Sequence, residues 1–479
     1  MITKSDFLIF KKHPAWLWLY KNDKSKLPKV DENVQQMFDD GKELEAYAER
    51  LYPEGIRGGL ELERGKTFFQ HRFVWEDFEC TSDIVSVRPD GGLVIIEIKA
   101  STSAKDEHIL DLAFQRRVAE GAGYRVEITA VLHVNNKYVF GGEIDPSQLF
   151  ELTDVTDKVS LVAGTIESEM KEATRVASLQ EIPDASPRYC GNTDAKKEWF
   201  KVLRGLRDFP EASIYELPYL TLPQTGELED MGIQEIAEIP DDFKLRTDQE
   251  RLRAALRRGT PEVNAQALAA FTSSLEYPLY FLDYEPLNLS LPVFLGTRPY
   301  QQVTFQYSLH IQDTPGGAIR HEEYVHDSDE HPLPAVARKL REVLGDAGSV
   351  IVWSQSFEKG RNNELGEAVP ELVGFFAGVN ERIVDLMVPF KQGYYDHPKF
   401  LGSASIKKVL PVLVPDLSYK ELEVQEGKSA SRLWREAVVE RKMTEAECTS
   451  TLGNLRTYCE LDTLAMVRIL EAITALAAT

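Results

Sequence analysis

The chain has 479 residues and a formal net charge of −22, with 43% hydrophobic and 28% charged residues. A chain this long exceeds what one hydrophobic core usually supports, so we expect two or three domains. The acidic balance argues against a protein that coats nucleic acid by bulk attraction, but it leaves open an enzyme with an acidic site and a locally basic groove. No apolar run reaches the roughly 20 residues that span a bilayer.

The start of the chain, MITKSDFLIFKKHPAWLWLYK, lacks the uninterrupted apolar segment and the small-residue cleavage site of a signal peptide. We therefore expect a cytoplasmic protein without a membrane partner. The cysteines are scattered and form no CxxC pair, so we expect reduced structural thiols rather than disulfides or a zinc site. They are Cys80, Cys190, Cys448 and Cys459.

Elements of mixed type are predicted along the first 205 residues. An amphipathic helix is predicted at ENVQQMFDDGKELEAYAERLYPEG, ending at Pro53 and Gly55. Strands are predicted at KTFFQHRFVW, SDIVSVR and LVIIEIK, with a Pro-Asp-Gly-Gly turn between the last two. A helix at DEHILDLAFQRRVAEGAG and a second hairpin, from RVEITAVLHVNN and KYVFGGEI, complete the pattern. Residues 1–205 therefore read as an α+β domain.

The remaining chain divides into a connector and a second domain. Residues 206–270 are rich in proline, glycine and charge, which predicts a helical, basic connector. Residues 271–479 begin with strands at PLYFLDYE, QQVTFQYSLHI and SVIVWSQ and end in helices, which again favours an α/β (α+β) fold.

Basic residues cluster in two places, and each cluster suits nucleic-acid contact or a solvated helix face equally well. The first cluster comprises Lys4, Lys11, Lys12, Lys21, Lys24, Lys26 and Lys29. The second comprises Lys244, Arg246, Arg251, Arg253, Arg257 and Arg258.

Charged side chains end two neighbouring strands of the first predicted hairpin. Asp83 and Glu97 offer carboxylates from adjacent strands, which suits a cation of the magnesium type. Lys99 leaves the same strand face as Glu97, where an ammonium can orient a water or neutralise charge on a phosphate. Gln115 on the next helix can position the phosphate or the lysine. A solvent-facing strand with alternating charges is the alternative explanation.

A second set of carboxylates lies in the C-terminal part. Asp283 and Glu285 end a hydrophobic strand on one face, and Glu358 opens a helix after another apolar strand. Tyr458 and Asp462 lie four residues apart, on one face of the last helix. Such carboxylates can hold two cations about 4 Å apart for phosphodiester hydrolysis, and the tyrosine hydroxyl can hold the attacking water. Each fragment alone also suits a capped turn or a helix start.

The stretch GSASIKKVLP adds candidate substrate-binding residues. Lys407 and Lys408 follow a serine-rich turn that contains Ser403, an arrangement that suits phosphate contacts at a helix start. An ordinary capped helix explains the same residues equally well.

Both sets of motifs resemble known nuclease families. The series Asp83, Glu97-x-Lys99 and Gln115 resembles the PD-(D/E)xK motif of the RecB-like branch. The C-terminal set resembles the DnaQ-like DEDD exonucleases with a Tyr-x-x-x-Asp motif, although Glu358 stands where those enzymes usually have Asp. With DLAFQ, SFEKGRNNEL, DLMVPF and GSASIKKVLPVL, nearly the whole chain resembles an uncharacterised bacterial family that fuses the two domains.

This resemblance implies a fold and cofactors. It implies a restriction-endonuclease-like domain followed by an RNase H-like domain with a mixed sheet. It also implies Mg²⁺ or Mn²⁺ at both sites, with Glu45 of GKELE as a further metal ligand in the first domain. Many RecB-like relatives hold an iron–sulfur cluster with four cysteines, but His13 stands where the first is expected and RYCGNTDAKKEW keeps only Cys190. We therefore expect no iron–sulfur cluster.

The implied function is that of a metal-dependent nuclease with two active sites. The N-terminal domain would cut or resect DNA, and the C-terminal domain would remove nucleotides in the 3′→5′ direction. The expected partner is nucleic acid, with DNA favoured and RNA left open, while the sequence identifies no protein partner. DNA repair and the processing of foreign DNA both suit such an enzyme. The alternatives are a non-catalytic nucleic-acid-binding protein built on the same folds, or a ribonuclease.

Overall fold

The computed structural model describes residues 1–58, 61–420 and 422–478. The chain divides into two compact units. The first unit comprises Met1–Glu238 and Ser290–Pro299, and the second comprises Ile239–Leu289 and Tyr300–Thr479. Each unit combines helices with a mixed sheet, which confirms the predicted α+β class with two domains. The predicted connector, residues 206–270, is divided between the two units.

The first unit begins with helices and then alternates strands with single helices. Its elements are β1 (Ile2–Thr3), α1 (Lys4–Lys12), α2 (Pro14–Asn22), α3 (Glu32–Glu49), β2 (Ile56–Arg57), β3 (Thr67–Trp75), β4 (Phe78–Val87), β5 (Leu93–Lys99), α4 (Asp106–Gly121), β6 (Val126–Val134), α5 (Pro146–Leu149), β7 (Phe150–Asp154), α6 (Thr156–Ala177), α7 (Thr193–Arg204) and α8 (Leu222–Asp230). Short 3₁₀ helices occur at Lys24–Lys26, Pro187–Tyr189, Ile214–Glu216 and Ile236–Glu238.

The described strands of the first unit form one sheet in the order β2-β3-β4-β5-β6-β7, with β1 beside β4. Strands β3, β4 and β5 are antiparallel neighbours, as the predicted hairpin requires. Helix α4 then crosses over, and β6 runs parallel to β5 because a parallel neighbour needs such a crossover. This arrangement puts the end of β5 beside α4.

The prediction of a β-strand at KYVFGGEI is wrong. The antiparallel partner of β6 is β7, in which Thr153 lies opposite Val131. The backbone of Phe140 pairs with Gly296 and Thr297 instead, and Gly142 turns the chain at a φ of 105°. The apolar residues of this short run therefore lie in a loop that contacts another loop. Hydrophobic periodicity alone does not distinguish such a run from a strand.

Aromatic rings pack at two places in the first unit. Phe114 of α4 stacks on Phe7 of α1, with ring centroids 5.1 Å apart. In a second cluster, His13 stacks on Trp199 at 4.5 Å, and its Nε2 lies 2.9 Å from the Ser186 carbonyl oxygen. At the position where the resemblance expects a cysteine, ring stacking thus connects the start of α2 to α7, and a hydrogen bond connects it to the segment before the 3₁₀ helix Pro187–Tyr189.

The second unit places a sheet between helices. Its elements are α9 (Thr247–Arg258), β8 (Glu262–Val263), α10 (Ala265–Ser273), β9 (Leu279–Asn288), β10 (Gln302–Gln312), β11 (Ile319–Val325), α11 (Pro332–Val343), β12 (Ser349–Val352), α12 (Gln355–Ala368), α13 (Val373–Glu381), β13 (Ile383–Asp385), α14 (Val388–Lys391), β14 (Tyr395–Asp396), α15 (Ile406–Leu413), α16 (Gly427–Trp434) and α17 (Glu445–Ala477). Two 3₁₀ helices, Pro370–Leu372 and Pro398–Phe400, and a π-helix, Arg435–Val439, complete the described elements.

The larger sheet of the second unit has the order β11-β10-β9-β12-β13. Strands β9, β10 and β11 are antiparallel neighbours, whereas β12 and β13 run parallel to β9. The long helix α17 is fixed to β10 by hydrogen bonds from Gln306 to the Leu455 carbonyl oxygen, 2.8 Å, and between Ser308 and Thr463, 2.7 Å. In the described part of the chain, no helix is both long and apolar enough to cross a bilayer.

We expect Phe114→Ala to lower the free energy of unfolding of the first unit by about 3–5 kcal/mol, because it leaves a cavity in a fully buried aromatic cluster. Urea denaturation measures this change. The matched control is Phe38→Ala, because Phe38 is 53% exposed, and we expect a change within about 0.5 kcal/mol. Equal effects of the two substitutions would contradict the described packing.

Candidate active sites

Three carboxylates meet in the second unit. Ligand oxygens of Asp283, Glu285 and Asp462 all lie within 4.8 Å of one another. Asp283 and Glu285 come from β9, and Asp462 comes from α17, so residues far apart in the chain converge. We call these three residues the acidic triad. Carboxylate oxygens at this spacing are the ligands that Mg²⁺ and Mn²⁺ prefer.

Strand register positions the acidic triad. Asp283 lies opposite Ser308 of β10, and Glu285 lies opposite Gln306. Directly opposite residues of antiparallel strands share one sheet face. Ser308 and Gln306 are also the residues that hydrogen-bond α17, so that helix covers the face on which both strand carboxylates lie. The turn of α17 that carries Thr463 also carries Asp462.

Mutual repulsion and burial keep the acidic triad difficult to ionise. Burial and the charges of Asp462 and Glu285 raise the pKa of Asp283 well above the usual aspartate value. Burial and the charge of Asp462 also raise the pKa of Glu285, and the ammonium of Lys407 opposes that rise. Burial raises the pKa of Asp462 as well, despite a hydrogen bond that favours its charged form. A bound divalent cation would relieve this repulsion.

Two tyrosines and a cysteine lie beside the acidic triad. The Tyr419 hydroxyl donates to Asp462 Oδ1 at 2.6 Å, and the Tyr458 ring lies 6.4 Å from the Tyr419 ring and opposes the rise that burial causes in the pKa of Asp462. The Cys459 thiol lies 3.6 Å from Asp283 Oδ2 and acts as a weak donor. Tyr458 thus lies where the sequence places it, while Tyr419 and Cys459 are contacts that the sequence analysis missed.

Glu358 lies near the acidic triad but is not one of the three residues within 4.8 Å. Its side chain, at the start of α12, is 2% exposed, and its Oε2 has no hydrogen-bond partner. Its charge contributes to the raised pKa of Asp283. Asp385 accepts hydrogen bonds from the backbone N–H groups of Gln355 and Met387, which fixes the start of α12. A carboxylate that serves as a further cation ligand would have such a buried oxygen, without a partner in the protein, when no cation is bound.

The predicted substrate-binding residues differ in their distance from the acidic triad. The charge of Lys407 acts on both Glu285 and Asp462, and its Nζ donates to the Gln425 carbonyl oxygen at 2.6 Å. Lys408 is exposed, and Ser403 Oγ accepts the N–H of Ser405 at 3.2 Å. Among the contacts that the described residues make, only those of Lys407 connect this stretch to the acidic triad.

The first unit brings together the predicted residues of the hairpin. Asp83 Oδ2 accepts the backbone N–H of Ile98 at 2.8 Å. Glu97 Oε1 accepts from Lys99 Nζ at 2.9 Å, as expected for two side chains on one strand face. Burial and the charge of Glu97 raise the pKa of Asp83. Burial alone would raise the pKa of Glu97, but the charges of Lys4 and Lys99 outweigh it and lower that pKa.

Helix α4 supplies two further residues to this site. Gln115 donates to Glu97 Oε2 at 2.6 Å and to Asp111 Oδ1 at 2.8 Å, so its amide contacts the carboxylates rather than the lysine. Ser82 Oγ donates to the Gln115 carbonyl oxygen at 2.6 Å and fixes the amide orientation. Lys99 Nζ also donates to Asp111 Oδ2 at 2.9 Å. Asp111 is a third buried carboxylate of this site that the sequence analysis missed.

Lys4 and Glu45 come to the same site from helices α1 and α3. Lys4 Nζ donates to Glu97 Oε1 at 2.7 Å, so two ammonium groups share one carboxylate oxygen. Gln70 lies 3.4 Å from both Glu45 Oε2 and Asp83 Oδ1 and bridges the two acids. Burial and the charge of Glu97 raise the pKa of Glu45. The predicted extra ligand therefore lies beside the site, one side chain away from Asp83.

The basic clusters mostly make contacts within the protein. On α9, Arg253 and Arg257 donate to the carbonyl oxygen of Ile239, and Arg251 pairs with Asp396. In the N-terminal cluster, the lysines of α1 and α2 pair with acids of the same unit. These pairs are Lys4–Glu97, Lys11–Glu169, Lys12–Glu198 and Lys21–Asp6.

Some of the missed residues had a signal in the sequence and others had none. Asp111 lies four residues before Gln115 in DLAFQ, a spacing that puts both on one helix face. Cys459 lies inside the Tyr-x-x-x-Asp motif. Lys4 and Tyr419 reach their partners across 93 and 43 residues, and no local pattern marks such contacts.

Comparisons with known proteins reveal relatives without an assigned function. Residues 280–405 match a family described as a domain of unknown function, DUF2779. The uncharacterized protein UU173 of Ureaplasma parvum serovar 3 is 25% identical over 231 residues, which cover 43% of this chain and 32% of the relative. The uncharacterized MG366 homolog of Mycoplasma pneumoniae is 26% identical over 211 residues, which cover 40% and 32%. The chain spans about a third of the length of the curated relatives it matches.

One solved structure is similar at a low level. A chain described as the crystal structure of SSO0001 is 13% identical and has a TM-score of 0.23, covering 40% of this chain and 82% of that chain. A TM-score this low supports no argument about fold or function. The DUF2779 match includes Asp283, Glu285 and Glu358 but ends before Tyr458 and Asp462.

We expect the buried carboxylate of Glu358, whose Oε2 has no partner, to make stability depend on pH. Burial raises the pKa of Glu358 from its ordinary value of 4.5 to about 8. Between these values the folded state binds the proton more tightly than the unfolded state, so stability falls as the pH rises from about 4.5 to about 8. Glu358→Gln cannot ionise, and it should be more stable than the wild type by roughly 1–3 kcal/mol at pH 9 but nearly equal at pH 5.

Urea denaturation in chelator-containing buffer at the two pH values measures this difference. The control is Glu371→Gln, because the Glu371 side chain is 63% exposed in the same unit. A difference between Glu358→Gln and wild type that is the same at both pH values would contradict a buried, unpaired carboxylate.

Proposed function

We propose that this protein is a divalent-metal-dependent phosphodiesterase that acts on nucleic acid through two active sites. One observation carries the proposal: the acidic triad packs three ligand oxygens within 4.8 Å, beside a buried Glu358 oxygen that has no partner. A protein interior rarely keeps such groups without a compensating ligand. The donors are all oxygen, which fits Mg²⁺ or Mn²⁺ rather than a thiophilic metal.

In the second unit, Asp283, Glu285 and Asp462 would hold one cation, and Glu358 would be a ligand of a second cation. When bound, a divalent cation stabilises both the attacking and the leaving oxygen of a phosphodiester. Tyr458 would hold the attacking water, because it lies one turn before Asp462 on the same face of α17. Lys407 places positive charge near the same carboxylates and can neutralise a substrate phosphate. The resemblance to DnaQ-like enzymes supports removal of nucleotides in the 3′→5′ direction.

In the first unit, Asp83 and Glu97 would hold the cation, and Lys99 would orient water or neutralise a phosphate. The residues present fit this role only if side chains rearrange, because the oxygens of Glu97 already accept from Lys4, Lys99 and Gln115. Gln115 holds Glu97 and Asp111 in fixed positions. The resemblance to RecB-like nucleases supports cutting or resection of DNA at this site, with Glu45 as an accessory acid.

DNA is the favoured substrate because both resemblances include enzymes that act on DNA, while DnaQ-like domains act on either polymer and leave RNA as a rival. Repair or processing of foreign DNA in the cytoplasm suits two nuclease sites in one chain. The rival from another class is a non-catalytic nucleic-acid-binding protein. The fully engaged carboxylates of the first unit favour that rival, and the uncompensated acidic triad of the second opposes it.

We expect the double variant Asp283→Asn, Glu285→Gln to slow shortening of an end-labelled DNA strand by at least about 100-fold in Mn²⁺, because it removes two cation ligands. Gel analysis of matched DNA and RNA strands measures the rate and the preferred polymer. The matched control Glu322→Gln, Glu323→Gln changes two acids of β11 in the same unit. Shortening at the wild-type rate in the double variant would assign the activity elsewhere.

We expect Lys99→Ala to abolish the cleavage that persists in that double variant, because the ammonium between Glu97 and Asp111 is lost. Circular dichroism checks that the fold is intact. Lys171→Ala, which removes an exposed ion pair with Glu167, is the control and should cleave at the parent rate. Unchanged cleavage by Lys99→Ala would remove this site from the proposed function.

A further inference from the structure

Lys4 occupies an unusual position at the site of the first unit. Its ammonium donates to Glu97 Oε1 at 2.7 Å, the oxygen to which Lys99 also donates at 2.9 Å. Lys4 therefore lies where a cation bound to Glu97 would lie.

The two lysines are held unequally. Lys99 has a second strong contact, because its Nζ lies 2.9 Å from Asp111 Oδ2. The second contact of Lys4 is longer, with its Nζ 3.9 Å from Asp111 Oδ1, while the two side chains differ little in exposure, at 20% for Lys4 and 26% for Lys99. If Glu97 Oε1 turns to another cation, Lys4 is the ammonium that can leave, because it has one short contact with these carboxylates where Lys99 has two.

We propose that Lys4 is a catalytic residue of the first unit that occupies the cation position on Glu97 in the resting protein and contacts the substrate phosphate when a divalent cation replaces it. The proposal rests on the proposed nuclease function of this unit. It adds Lys4, which the sequence motif does not contain, and gives this residue two successive roles. The first is competition for Glu97, and the second is neutralisation of the phosphate.

Charge balance supports both roles. Asp83, Glu97 and Asp111 supply three carboxylates at this site, with Glu45 beside them, and Lys4 and Lys99 supply two ammonium groups. A dication on Glu97 makes the ammonium of Lys4 surplus there, while an incoming phosphodiester brings one negative charge that needs a partner. Lys4 transfers no proton. In the hydrolysis, the water oxygen forms the new P–O bond, one ester P–O bond breaks, and a water proton ends on the leaving oxygen.

The alternative is a structural ion pair that only stabilises α1 against the sheet. The two explanations differ in what loss of Lys4 does to metal binding. A structural ion pair predicts unchanged or weaker binding, because the site loses support. Competition predicts tighter metal binding, because the ammonium of Lys4 no longer has to be displaced from Glu97 Oε1.

The test uses the full chain with Asp283→Asn and Glu285→Gln as parent, so that Mn²⁺ titration reports the first unit. Isothermal titration calorimetry measures Mn²⁺ affinity, and an end-labelled DNA assay at saturating Mn²⁺ measures cleavage. We expect Lys4→Met to bind Mn²⁺ about tenfold more tightly and to cleave at least about tenfold more slowly. Lys4→Arg keeps the charge and should retain both parent values within a few-fold.

Controls separate this inference from the proposed function. Lys11→Met removes another ion pair of α1 and should match the parent in both assays. Lys4→Gln is the second variant if Lys4→Met melts at a lower temperature. Parent-like or weaker Mn²⁺ binding by both Lys4 variants would overturn the role of Lys4 and leave the nuclease proposal standing. A parent that neither binds Mn²⁺ nor cleaves would overturn the function of this unit, and the catalytic role of Lys4 with it.

Discussion

The second unit depends on holding three carboxylates within 4.8 Å of one another against their mutual repulsion. Two of them are fixed by the register of β9 against β10, and the third depends on the position of α17. The hydrogen bonds from Gln306 and Ser308 to α17 set that position, so the same strand that aligns Asp283 and Glu285 also anchors the helix that carries Asp462. Misplacing α17 by one residue would turn Asp462 about 100° away from the strand carboxylates.

Glu97 in the first unit and the strand carboxylates in the second are compensated differently, although burial also raises the pKa values of Asp83 and Asp111 in the first unit. In the first unit, each oxygen of Glu97 accepts from an ammonium or amide, and the pKa of Glu97 is lowered by Lys4 and Lys99, although burial opposes them. In the second, burial and mutual repulsion raise the pKa values of Asp283 and Glu285, and at Glu285 they exceed the opposing charge of Lys407. Glu97 is electrostatically satisfied without a cation. The acidic triad gains from one, which is why the second unit carries the functional proposal.

Local pattern was sufficient for the elements that place the first site. The run LVIIEIK is β5 from its first residue to its last, and DEHILDLAFQRRVAEG is α4. The pattern failed where a short segment pairs with something distant or is half-exposed, as with KYVFGGEI and with the unpredicted edge strand IRHEEYV. An edge strand buries only part of one face, so its charged residues hide the alternation that signals a strand.

The same difference between local pattern and distant contact separates the predicted site residues from the missed ones. A charged side chain in an apolar strand contradicts the surrounding pattern, and this is why the sequence predicts Asp83, Glu97, Lys99, Asp283 and Glu285, although Asp83, Asp283 and Glu285 lie inside their strands rather than at the ends. Lys4 and Tyr419 were missed because nothing about a lysine at a helix start or a tyrosine in a loop is locally unusual. Lys4 and Tyr419 are recognised as site residues only by their partners, which are distant in the sequence and are brought close by folding.

Glu358 shows how a departure from a motif can be compatible with the same chemistry. Its side chain is one methylene longer than the Asp that the resemblance expects, so its carboxylate can reach further from the helix axis. The backbone of α12 cannot adjust freely, because Asp385 accepts the N–H of Gln355 at 3.2 Å and fixes the first turn. With the helix start fixed, one oxygen of this carboxylate, Oε2, stays buried without a hydrogen-bond partner. Its charge also raises the pKa of Asp283, so the proposed cation, if shared between the two carboxylates, would relieve the repulsion between them.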